Sequence, residues 1–195
     1  KDGFFYTDAI SDHATRFVRQ HQESSGDQPF FLYVAYTAAH WPMHARQRDI
    51  AKYRGRYQSG YEAVREARLR KQQRLGVVDP DWPLSDAPEA WSKVADQAFE
   101  ERCMEVYAAM VDSMDQGIGR IVASLRETGE LDNTLILYLQ DNGGCAEGYG
   151  RGKGATKRAD SPSLTPMASD ELQTRMMPTQ TRDGYPVRKG YGVMP

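Results

Sequence analysis

The sequence predicts an α/β fold: a mainly parallel sheet flanked by helices, with a long irregular C-terminal loop region. Three observations lead there. PFFLYVAYTA (29–38) and NTLILYLQ (133–140) are continuous apolar runs, the kind that strands buried on both faces show in parallel sheets. A long helical periodicity lies between them, over 92–128. After Asp141 the composition turns to Gly, Pro, Ser, Thr and charge, with no sustained period. The order strand, long helix, strand is that of a crossover between parallel strands.

The elements follow in chain order. In TDAISDHATRFVRQH (7–21), Ala9, Ile10, Ala14, Phe17 and Val18 recur at helical spacing, with Thr7 or Asp8 as a candidate cap. QESSGDQ is a polar break. The first apolar run follows, and AHWPMHA (39–45) leaves it as a loop, since Pro42 prevents further strand pairing. Residues 46–91 read as an irregular insertion, charged and interrupted, with an exposed helix in YEAVREARLRKQQRLG. From Phe99 to Leu125, apolar residues step by three or four, through Cys103, Val106, Met110, Met114, Ile118 and Ile121. Gly129 stands where a capping glycine belongs. Residues 151–195 read as a loop excursion of the same domain, with at most one short helical turn.

Composition limits the function. The chain has 195 residues, a length that suits one domain or part of a larger one. A net charge of −2 argues against a general nucleic-acid or membrane-surface binder. No apolar stretch reaches the roughly 18 residues of a membrane span, and no signal-peptide pattern occurs. KDGFFYTDAI reads like the middle of a fold, so an internal fragment is expected and the compartment is undetermined. Cys103 and Cys145 form no CxxC or zinc pattern.

Open α/β sheets bind ligands beyond the carboxyl ends of their strands. Two segments qualify: TAAHWPMH after the first run and DNGG after the second. Asp141 and Asn142 offer hard oxygen ligands suited to Ca²⁺ or Mg²⁺. Asn-Gly is also a common turn pair, and the pattern alone leaves a plain strand-ending turn open. His40 and His44 are four apart, but Pro42 argues against the helix that would make them a zinc pair. A single histidine can donate to an anion or act as an acid, and it can equally be structural. GRGKG (150–154) lacks the GxxxxGKS/T spacing of a phosphate loop. Lys153, Lys157 and Arg158 read as solvated charges, Cys145 as a small packed residue and Asp115 as a helix-surface carboxylate.

Together the two stretches carry a resemblance. PFFLYVAYTAAHWPMHA, followed by YAAMVDSMDQGIGRIVASLRETGELDNTLILYLQDNGG, resembles the central part of a type I sulfatase of the arylsulfatase kind, in the alkaline phosphatase-like superfamily. The likeness covers residues 1–45 and 92–150, which it marks as part of a sulfatase catalytic domain. The family's first motif is a strand followed by APHxP; Ala39 replaces its proline, while His40 and Pro42 are retained. DELQT and TRDGYPV resemble an insertion of some bacterial members.

The resemblance implies hydrolysis of sulfate esters by a formylglycine, with bound Ca²⁺ rather than Mg²⁺ neutralising the sulfate oxygens. It assigns Asp141 and Asn142 to the metal, and His40 to a hydrogen bond on the sulfate or its bridging oxygen. It also implies a sulfated small molecule or glycan as substrate, and by family habit a periplasmic or secreted location. No CxPSR or SxPSR motif occurs, so the formylglycine is expected outside this chain, as are the remaining metal ligands. By this reading the chain holds about a third of an active site and is inactive alone. The alternatives are a phosphodiesterase or phosphonate hydrolase of the same superfamily, and an inactive domain that keeps the fold.

Overall fold

A computed structural model describes residues 4–40, 43–86, 90–141, 161–172 and 179–186. Among the described residues the α-helices are α1 (Tyr6–Ser25), α2 (Gln47–Ala51), α3 (Gly60–Arg74) and α4 (Gln97–Glu127). The chain divides into two compact units, one of residues 1–44 and 110–195, the other of 45–109.

In the first unit α1 packs on the C-terminal part of α4. Ala14 and Val18 of α1, and Met110, Met114 and Leu125 of α4, are buried. Arg120 reaches Asp12 (3.2 Å) and Asp8 (3.6 Å), and Arg19 reaches Glu127 (2.9 Å). Later residues of one helix therefore meet later residues of the other, so the two run parallel. Neither Thr7 nor Asp8 caps α1. The helix starts earlier, after Phe5, with no side-chain cap. Thr7 is buried and its carbonyl accepts the Ser11 hydroxyl (2.9 Å).

The end of α4 is as the sequence implies. Gly129 has φ 79°, the Glu130 N–H donates to Leu125 O (2.9 Å) and the Gly129 N–H to Arg126 O (3.2 Å). That is the Schellman pattern, which satisfies carbonyls the helix leaves open. At the other end the Asp96 carboxylate accepts the Phe99 N–H (3.1 Å), an N-cap that the sequence reading did not single out.

The two apolar runs form no strand among the described residues, whose one β-bridge joins Gln180 to Pro186. Over 31–38 the side chains alternate between exposed and half-buried, the period of an extended chain. Phe31 is 91% exposed and Leu135 84%, so these runs are not buried on both faces here. Tyr36 and Phe30 lie against α1, through Ser11 and His21, and the facing side of the run is open.

The second unit fills the stretch expected to be irregular. Its core is Ala45, Ile50, Cys103, Val106 and Ala109. Two buried carboxylates are matched to partners. Asp49 meets the Lys52 ammonium at 2.9 Å. Glu105 accepts the Arg102 guanidinium (2.7 Å) and the Gly55 N–H (2.8 Å). The exposed helix of the charged segment is present as α3. The chain beyond it returns along one face: the Gln73 amide donates to Pro80 O (2.9 Å), Arg65 to Ser85 O (2.6 Å), and the Trp91 N–H to Glu62 (2.9 Å).

The C-terminal region is tied more closely than its composition suggests. A tight turn at Thr181–Tyr185 bends at Gly184 (φ 84°). Arg182 donates to the carbonyls of Ala168 (2.8 Å), Ser169 (3.1 Å) and Glu171 (2.9 Å).

Candidate active site

The loop carrying His40 is anchored from below. Gly117 of α4 leaves room for Ser11, whose hydroxyl shares a 2.8 Å hydrogen bond with the Tyr36 phenol. At the other end of the run, His21 Nε2 pairs with Gln28 O (2.8 Å) and its ring meets Phe30 at 5.2 Å. The run thus passes from the C-terminal half of α1 towards its N-terminal half. Four residues beyond Tyr36 the chain reaches His40. There the His40 N–H closes a turn on Thr37 O (2.9 Å), after a cis peptide at Ala38–Ala39. The side chain of His40 is exposed. Trp41 and Pro42 lie outside the described residues.

His44 presents an edge to solvent. Protein crowds its other side, and that desolvation lowers its pKa below the ordinary imidazole value. A neutral ring there can accept or donate one hydrogen bond but adds no positive charge.

Asp141 ends the second run at a bend, exposed, without a hydrogen bond or ion pair to His40 or any other described residue. A carboxylate free of cationic partners is a hard oxygen donor, suited to Ca²⁺ or Mg²⁺. It is a single donor: no group of three His, Cys, Asp or Glu converges among the described residues. Asn142, Cys145, Lys153, Lys157 and Arg158 lie outside the described residues. Asp115 is exposed on α4, as expected of a helix-surface carboxylate.

The sequence reading missed the support beneath the loop, Ser11, Tyr36 and Gly117. Its signal was GIG (117–119), glycines inside an otherwise helical period, which imply a close approach of another element.

Comparison with known proteins identifies the relatives. The Sulfatase family model matches residues 2–168. An uncharacterised sulfatase of Schizosaccharomyces pombe is 38% identical over 143 residues, covering 69% of this chain and 25% of that protein. An arylsulfatase of Klebsiella aerogenes is 32% identical over 146 residues, 73% of this chain and 31% of that protein. A human N-sulphoglucosamine sulphohydrolase is 29% identical over 128 residues, 65% of this chain and 23% of that protein. The chain spans about a quarter to a third of the length of these curated relatives.

Proposed function

Because the chain belongs to the sulfatase family, we propose that it supplies the His40 and Asp141–Asn142 part of a site that hydrolyses sulfate monoesters. Residues 1–150 then contribute part of the catalytic domain, and 151–195 a loop of the same domain. The two apolar runs take places in a mainly parallel sheet. The observation that carries this reading is the parallel pairing of α1 and α4 through Asp12–Arg120 and Arg19–Glu127. Each helix is followed by one apolar run. In repeated α/β crossovers each run returns along the helix before it, and parallel helices then favour both run ends lying on the same side. His40 and Asp141 stand just beyond those ends.

The roles follow from the chemistry of a sulfate ester. When its S–O bond breaks, negative charge grows on the leaving oxygen and stays high on the sulfate oxygens. Ca²⁺, when bound, offsets that charge as a Lewis acid. Asp141 would hold it through carboxylate oxygens and Asn142 through its amide oxygen. His40, exposed at its turn, donates a hydrogen bond to the sulfate or to the bridging oxygen, a fixed donor aimed at developing charge. Neither Cys103 nor Cys145 lies in a CxPSR motif, so the formylglycine is not assigned to a residue of this chain. The substrate is a sulfated small molecule or glycan.

The test is the whole sulfatase with Asp141→Ala, with parent and variant assayed for hydrolysis of matched aryl sulfate monoesters and aryl phosphate diesters. Loss of most sulfate release, with weaker Ca²⁺ binding by calorimetry and unchanged helix content, is expected. An enzyme indifferent to Asp141→Ala overturns the assignment. Preferential hydrolysis of the phosphate diester by the parent enzyme moves the reaction to the phosphodiesterase class.

A further inference from the structure

Residues 46–74 hold ten of the chain's 25 Lys and Arg, against three of its 27 Asp and Glu. On α3 these cations are sorted by face. The face bearing Arg65, Leu69, Gln72 and Gln73 is partly covered, by the chain that returns through Pro80 and Ser85. The other face is exposed and carries Arg68, Arg70, Lys71 and Arg74, within an arc of about 160° at 3.6 residues per turn. Glu66 at its border pairs with Arg70 (3.3 Å). Arg68, Lys71 and Arg74 have no ion-pair partner among the described residues.

The helix dipole accounts for cations in the last turn, Lys71 and Arg74. It does not account for Arg68, a turn earlier, nor for a face with no compensating carboxylate beyond Glu66. Neighbouring like charges on a helix repel and destabilise it unless an anion lies across them.

We propose that the open face of α3 is a binding surface for a sulfated polysaccharide chain, held by Arg68, Lys71 and Arg74. The polymer is a partner of stated chemistry, a repeated anion that one row of cations can follow. Arg forks match the planar faces of sulfate oxygens as they match phosphate, while Lys adds a point charge. The choice of a sulfated glycan over other polyanions rests on the proposed hydrolysis of sulfate esters. The surface would retain a polymeric substrate without taking part in the cleavage of its esters.

The test is binding of the full chain to heparin, titrated over a range of salt. Affinity should fall steadily with salt. Arg68→Gln, Lys71→Gln and Arg74→Gln combined should weaken binding at least tenfold and reduce the salt slope by about three, roughly one per cation. Arg16→Gln on α1, in the other compact unit, should leave it unchanged. Glu66→Gln removes the carboxylate that holds Arg70 and should tighten binding, a gain that unfolding cannot produce. Absence of heparin binding, a triple variant that binds like the parent, or single-stranded DNA of matched charge binding as tightly as heparin overturns the proposal. The readout needs no turnover, so this result and that of Asp141→Ala can fail independently.

Discussion

Gly117 of α4 and Ser11 of α1 touch with no space for a methyl group between them. A Cβ on Gly117 would overlap the Ser11 hydroxyl and come within 2.9 Å of the Tyr36 phenol oxygen. Alanine is the better helix former by about 1 kcal/mol, but overpacking a tight contact costs about 1–3 kcal/mol. Gly117→Ala should therefore lower the denaturation midpoint. Adding Ser11→Ala removes the overlapping oxygen and should recover part of the loss, a coupling between neighbours. A single variant as stable as the parent would show that the helices can move apart.

Glu105 is a second point of strain if disturbed. It is 4% exposed and holds both Arg102 and the Gly55 N–H. Glu105→Ala leaves a backbone donor unsatisfied. Because Arg102 can swing to solvent, the loss should be about 2 kcal/mol, near the value of a hydrogen bond to a charged group. Urea denaturation of the variant measures it, and Glu105→Gln should lose less.

His44 sets a pH dependence. Desolvation places its folded pKa below the unfolded value of 6.5. The contribution of the neutral ring is then complete above that value, and is lost as the pH falls from it towards the folded pKa. Melting temperature should drop between pH 7.5 and pH 5, and the drop should be smaller in His44→Gln. Equal slopes for the two proteins would refute the assignment.

In the whole sulfatase, His40→Ala should reduce kcat by about 10²–10³, the usual effect of removing one fixed donor to developing charge. His40 is exposed, so helix content by circular dichroism should not change. A loss confined to KM would make His40 a ground-state binding residue instead.

Much of this was legible in the sequence because it depends on local pattern. The long period through Cys103, Val106, Met110 and Met114 became the buried stripe of α4, and Gly129 its cap. The start of α1 was misread because Thr7 and Asp8 are good caps in isolation, whereas in the fold Thr7 is buried inside the first turn and Asp8 faces Arg120 of α4. The order within 46–91 was hidden for a similar reason. Ile50 and Glu105 are far apart in sequence, and charged residues such as Asp49 are buried there only with partners that no periodicity reveals. The proposed site residues come from the resemblance and from the run-ending position of Asp141. The period-two exposure of 31–38 was not legible, because a continuous apolar run does not specify what covers its second face.

That second face has a thermal consequence. Phe31, Tyr33, Leu135, Leu137 and Leu139 each keep at least 70% of their surface in water. Attraction between such surfaces weakens on cooling, and open apolar edges of this kind pair readily with one another. A solution of the chain that is clear on ice should cloud on warming, well below the temperature at which α1 and α4 melt. The turbidity should clear again when the sample is chilled.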